Sequence, residues 1–168
     1  MRAPKILVVG SLVMDQTAYT GIFPREGQTV LGDRFEKAPG GKGANQAAQA
    51  ALLGADVTMF GKLGRDTNGK EMAVACREKG ICTDNIAYDD TVASGCSVIV
   101  VEEAQGKSSA NRIIVIPGAN MSIRDEDVEF LREKIAEYDL VMLQLEIPMA
   151  INERVAGFAK AKGVPVML

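Results

Sequence analysis

Pro39-Gly40-Gly41-Lys42-Gly43-Ala44-Asn45-Gln46-Ala47 is the stretch whose reading decides the fold. Its glycines let the backbone approach a ligand closely. Residues 41–53 are rich in alanine and leucine and read as a helix closed by Gly54. A helix start presents unpartnered amides and the positive end of the helix dipole. Two phosphate-binding patterns are nevertheless excluded. A Walker A loop needs glycine five residues before the Gly41-Lys42 pair, where Glu36 stands, and Ser or Thr after it, where Gly43 stands. The dinucleotide fingerprint fails because Leu12 follows Gly10-Ser11, and because Gln46 occupies the third glycine position after Gly41-Lys42-Gly43. A hydroxyl-rich ligand suits what remains: Asn45 both donates and accepts, Lys42 donates, and the helix-start amides face the ligand.

Outward from this stretch, strands and helices alternate. Residues 5–10 form a compact β-branched run, read as a strand buried on both faces. Residues 57–61 read as the next strand, 66–79 as a helix ended by Gly80, and 85–88 as a short strand. Ser122 is expected to start a helix through a Ser122-Ile123-Arg124-Asp125 capping box. Strand 140–143, helix 148–162 and strand 164–168 complete the series. This predicts an α/β fold with a partial doubly wound, Rossmann-like parallel sheet. Two interruptions break the alternation. Residues 16–20 and 29–35 read as short antiparallel strands around Pro24 and Gly27, and 96–101 and 112–116 as β runs flanking a polar stretch at 102–111. Segments 16–37 and 95–117 are therefore expected to form a small separate antiparallel β lid. The short glycine motif at 61–69 reads as a structural turn, and Met59, Met72 and Met142 as core.

Composition narrows the function. The chain has 168 residues, 47% of them hydrophobic and 24% charged, which suits one domain with a substantial core. A net charge of -3 gives no reason to expect nucleic acid or an anionic membrane as a partner. No apolar run approaches ~18 residues, and the run after Met1 is too short for a signal peptide. Cys76, Cys82 and Cys96 are odd in number and lack C-x-x-C spacing, so reduced core thiols in the cytoplasm are expected. The chain has no histidine, which excludes Ser-His triads and imidazole metal sites within it. Pro165-Val166-Met167-Leu168 is an apolar run in mid-strand, and the chain is expected to be part of a longer protein.

The stretch Gly40–Ala47, with Gly54 and Gly64 at fixed offsets, resembles the first signature of the ribokinase (PfkB) family of carbohydrate kinases. Gly10-Ser11-Leu12-Val13-Met14-Asp15 resembles the family's first strand with its sugar-binding Asp. Gly61-Lys62-Leu63-Gly64-Arg65-Asp66 with Gly69 resembles its second glycine motif, and Leu143-Gln144-Leu145-Glu146 before Pro148 resembles the strand end whose Glu faces the sugar. The resemblance covers essentially the whole chain and about half of a family member. It implies ATP-dependent phosphorylation of a sugar, ribose at its primary hydroxyl. Asp15 would accept hydrogen bonds from two adjacent hydroxyls, Gly41, Lys42 and Asn45 would contact the same sugar, and Glu146 would contact it from the far side. Val13 departs from the family, which usually carries Asn there.

The family's catalytic Gly-Ala-Gly-Asp motif is not found: Gly43-Ala44, Gly54-Ala55 and Gly118-Ala119 all continue otherwise. The resemblance therefore implies that this chain carries no catalytic residue and no metal site, the nucleotide-binding half being absent. ATP, Mg²⁺ and a monovalent cation would serve the full-length enzyme, none of them binding this half tightly. A homodimer through the β lid is the implied assembly. The alternatives are a non-catalytic sugar-binding or dimerisation module, and a kinase of another sugar or a nucleoside.

Overall fold

The computed structural model describes residues 2–103 and 109–168. Residues 104–108, within the expected lid segment 95–117, lie outside it, as does Met1. Three sheets and five α-helices make up the described fold. The central sheet is parallel, in the order β10 (Val166–Met167), β9 (Leu140–Met142), β1 (Lys5–Val9), β4 (Asp56–Phe60). Such a sheet must be covered on both faces, and Leu7, Val8 and Val9 of β1 accordingly have no exposure at all. Alternate residues of β1 point to opposite faces. Leu7 and Val9 join Val141, Val128, Leu131, Ile135, Val155 and Phe158 beneath α3 (Asp125–Val128), α4 (Leu131–Lys134) and α5 (Met149–Lys162). Val8 joins Met59, Met72, Ala47 and Cys76 beneath α1 (Lys42–Leu52) and α2 (Thr67–Glu78). Met59 and Met72 are core as expected, and Met142 packs against the same cluster. Burial pushes the Cys76 thiol above its ordinary value, and all three cysteines are free.

The lid is a separate four-stranded sheet, in the order β3 (Arg34–Gly40), β2 (Val13–Thr20), β7 (Gly95–Glu102), β8 (Ala110–Ile116). It is not wholly antiparallel. The outer pairs β2–β3 and β7–β8 are antiparallel, but the central pair β2–β7 is parallel, so the sheet is mixed. The reason is connectivity: β2 and β7 are separated by β4, α2 and the elements between them, and no hairpin joins them. A third, two-stranded sheet joins β5 (Lys62–Gly64) to β6 (Ala87–Asp89).

The helix expected from Ser122 is broken. Gly118–Ser122 is a 3-10 turn, and the next helical residues begin at Asp125. The Ser122 hydroxyl donates to the Asp89 carboxylate at 2.7 Å instead of capping a helix. The reciprocal bond falls two residues later, where Asp127 accepts from the Arg124 amide at 2.8 Å. The 61–69 motif, expected as a turn, instead holds strand β5 and the start of α2. The Asp66 carboxylate accepts from the amides of Gly69 and Ser94, both at 2.7 Å, capping α2 and fastening the approach to β7 to it. Lys62 is buried and donates to Asp127 at 2.8 Å and to the Ser122 carbonyl at 3.2 Å, stitching β5 to the segment before α3.

Candidate functional site

α1 starts without a side-chain cap of its own, because Gly41 occupies the N-cap position. Its orphan amides are satisfied from elsewhere in the chain. Lys42 donates its amide to Glu146 Oε2 at 2.9 Å, Gly43 donates to Ser11 Oγ at 3.2 Å, and Ala44 donates to the Ser11 carbonyl at 3.0 Å. Asn45 closes the first helical bond to Gly41 at 2.9 Å. The sequence pattern predicts that these amides face a ligand; three of the four are consumed by Ser11 and Glu146. Ser11 reaches them because Gly43 has no side chain: a Cβ there would stand 2.6 Å from the Ser11 nitrogen.

Glu146 lies beyond the end of β9, on the edge of the parallel sheet where strand C-termini gather. Its Oε2 also accepts from the Ser11 hydroxyl at 2.6 Å, and its Oε1 accepts from the Lys42 ammonium at 2.8 Å. Burial would raise the Glu146 carboxyl, but these donors outweigh it and hold the group below its ordinary value. The hydrogen bond and charge of Glu146 raise Lys42 in turn. Lys42 and Glu146, read from sequence as two separate ligand contacts, therefore pair with each other. A carboxylate at the start of α1 is favoured by the helix dipole as well.

Asp15 is placed differently from expectation. It lies within β2 of the lid sheet and not at the end of a strand of the central sheet. The lid brings it to the same place. Asp15, Gly41, Lys42, Asn45 and Glu146 all line one cleft of about 180 Å³, together with Val13, Ser97, Ile99, Ile113 and Val115. Strand pairing explains the second group. Asp15, Ser97 and Val115 sit side by side across β2, β7 and β8, and Ile99 and Ile113 form the next row on the same face. Ser97 donates to Asp15 Oδ1 at 2.5 Å. Asn120 supports the wall from behind: it accepts from the Leu12 amide at 2.9 Å and donates to the Leu12 carbonyl at 2.8 Å.

The cleft thus has two sides: the central sheet's edge and α1 supply the Glu146 carboxylate, the Lys42 ammonium and the Asn45 amide, and the lid face supplies Asp15 and Ser97 among aliphatic residues. It is smaller than the ~300–1,000 Å³ of sites for drug-sized ligands, which suits a small polyol. Sequence reading missed Ser11, Ser97, Asn120 and the lid aliphatics. Ser97 left one signal, a hydroxyl set within the apolar run Cys96-Ser97-Val98-Ile99-Val100-Val101. Among the described residues no group of three or more His, Cys, Asp and Glu stands close enough to hold a metal ion.

Residues 3–168 match the model of the pfkB family carbohydrate kinases. The chain is 37% identical to ribokinase of Bacillus subtilis (strain 168), over 97% of this chain and 54% of the relative. It is 34% identical to deoxyribokinase of Salmonella typhi, over 97% of this chain and 52% of that protein. The solved structure of Arabidopsis thaliana ribokinase complexed with ribose and ATP superposes with a TM-score of 0.82 at 35% identity, covering 98% of this chain and 53% of that one. The chain spans about half the length of the curated relatives it matches.

Proposed function

This chain belongs to the pfkB family of carbohydrate kinases, and from that premise we propose that it forms the sugar-binding side of a ribokinase-type enzyme. The reaction is transfer of phosphate from ATP to the primary hydroxyl of ribose, giving ribose 5-phosphate. One observation carries the reading: five residues spread from Asp15 to Glu146 line a single cleft of about 180 Å³. Asp15 accepts from sugar hydroxyls, a charge-assisted contact that discriminates well. Asn45 donates and accepts, and the Lys42–Glu146 pair closes the far side. Their contribution to catalysis is to hold the acceptor hydroxyl in place.

Support for a pentose and a nucleotide comes from the Arabidopsis thaliana ribokinase structure, which holds ribose and ATP. ATP with Mg²⁺ and a monovalent cation are the proposed cofactors of the whole enzyme. No step is assigned to a metal on these residues. The catalytic base and the nucleotide site are proposed to lie outside residues 1–168, leaving this chain inactive by itself. The outer lid face supports a homodimer: Phe35, Val98, Ile114 and Ile116 are exposed on it, and the edge strand β8 is exposed throughout. Free thiols and the absence, among the described residues, of a helix long and apolar enough to cross a membrane support a cytoplasmic protein.

Val13 favours a second reading of the acceptor. It is 5% exposed on the cleft wall beside Val115, and it offers a hydroxyl no partner. A deoxypentose loses nothing against such a wall, and a deoxyribokinase is among the relatives. Calorimetric titration with D-ribose and 2-deoxy-D-ribose tests both readings. Saturable binding of either pentose, lost in Asp15→Ala, is the expected result, and the tighter of the two names the acceptor. Binding that survives Asp15→Ala unchanged would remove the sugar-site assignment. The substitution is expected to cost about 2–5 kcal/mol, as for other buried charged hydrogen bonds.

A further inference from the structure

Ser97 is the one polar side chain in the middle of the lid sheet that faces the cleft from β7. It is 3% exposed, between Asp15 of β2 and Val115 of β8 in register. The alternation of β7 would suit an apolar residue here, since Ile99 and Val101 come next on the same face. A buried hydroxyl without a partner is costly, and this one has a single partner among the described residues. Its only proton goes to Asp15 Oδ1, at 2.5 Å, within the range of hydrogen bonds to an ionised oxygen. The opposite side of the carboxylate is confined as well. A Cβ on Gly40 would stand 2.3 Å from Asp15 Oδ2, so Asp15 occupies the space that glycine leaves open. Among the described residues no donor reaches Oδ2.

We infer that Ser97 is a positioning residue, which fixes the side-chain rotamer of Asp15 so that the carboxylate stands ready with Oδ2 unengaged for a ligand hydroxyl. This rests on reading the cleft as a sugar site. Without the serine proton, the Asp15 side chain is free to turn about its Cα–Cβ bond toward solvent, and ligand binding must then select one rotamer from several. The fixed geometry also assigns the two oxygens unequal parts: Oδ1 is held by Ser97, and Oδ2, beside Gly40, is left without a donor among the described residues. Ser11 holds Glu146 by a similar bond, but its oxygen also accepts from Gly43 at the helix start. Ser97 serves Asp15 alone, so its role is separable from folding.

The test uses the 168-residue chain and two readouts. Three-bond couplings report the Cα–Cβ rotamer of Asp15 by NMR without any ligand. Wild type is expected to show one rotamer, Ser97→Ala rotamer averaging, and Ser97→Thr, which keeps the hydroxyl, a single rotamer again. Ser97→Cys, which keeps the volume and weakens the donor, gives the same reading if Ser97→Ala does not fold. Titration with D-ribose and 2-deoxy-D-ribose is expected to show affinity about five- to tenfold weaker in Ser97→Ala and within about twofold of wild type in Ser97→Thr. A single, unchanged Asp15 rotamer in Ser97→Ala and Ser97→Cys overturns the inference, as does unchanged pentose affinity. Wild type binding neither pentose would refute the sugar-site reading, while the rotamer measurement would still decide the role of Ser97.

Discussion

Glu146 carries more of the site than a single ligand contact would require. It takes the Ser11 hydroxyl, the Lys42 ammonium and the Lys42 amide at once, so it joins the edge of the central sheet to the start of α1. The directions of the two shifts set the pH dependence. Glu146 is held below its ordinary value of 4.5, so its stabilising effect is present above that value and is lost as pH falls through the lowered one. Lys42 is raised above its ordinary value of 10.5, so its share is present below that value and is lost as pH rises through the raised one. The pair is intact across the whole interval between. Acidification below 4.5 is therefore expected to shift the amide resonances of Lys42 and Gly43, and Glu146→Gln is expected to abolish that acid transition. An acid transition of the same size in the variant would show that the helix start does not depend on this carboxylate. Lys42 is 67% exposed at its side chain, so solvent screens the attraction, and the pair acts mainly by orientation.

At the scale of elements, α1 and its approach decide how well the cleft is built. Gly43 brings Ser11 to the helix start, and a methyl group there would meet backbone at 2.6 Å, which cannot move aside as a flexible side chain would. Gly43→Ala is expected to destabilise the chain by about 2–4 kcal/mol in denaturant unfolding, whereas Gly157→Ala, inside α5 where a Cβ meets nothing within 4 Å, is expected to be neutral or to stabilise by up to ~1 kcal/mol. Equal midpoints for the two variants would contradict this account of the helix start. The same stretch shows how much the residues disclose in advance. β1, α1, α2, β4, β9 and α5 are legible because their periodicity and glycine stops agree with their burial. The sequence pattern sets β3 five residues too early, since Pro39 and the glycines after it look like loop. As the edge strand of its sheet, β3 tolerates a proline. The lid's parallel centre is not legible, because β2 and β7 meet only through long-range topology. The expected helix from Ser122 fails because a distant partner, Asp89, claims the serine hydroxyl. Asp15, Gly41, Lys42, Asn45 and Glu146 are found through a motif. Ser11, Ser97 and Asn120 are not, because each works through a bond to a residue at least 32 positions away.

For the molecule as a whole, one side of the cleft is built from the central sheet's edge and α1, and the other from the lid, which sets Asp15 and Ser97 among its aliphatic residues. The lid's other face carries Phe35, Val98, Ile114 and Ile116 into solvent. Light scattering is expected to show a dimer that Ile114→Lys converts to monomer; a wild-type monomer at high concentration would contradict the lid-face proposal. A coupled assay with ribose and ATP is expected to show no turnover by this chain, and a rate above ~1 s⁻¹, within the ordinary enzyme range, would overturn the assignment of the catalytic base to residues outside it. Both results bear on the parent enzyme, whereas the central claim concerns the cleft itself. Amide chemical-shift mapping of the chain during titration with D-ribose and 2-deoxy-D-ribose tests that claim most directly. The account predicts saturable shifts concentrated at 13–15, 41–45, 97–99, 113–115 and 146, with the outer helices unmoved. Saturable shifts clustered elsewhere, or none with either pentose at high concentration, would contradict it.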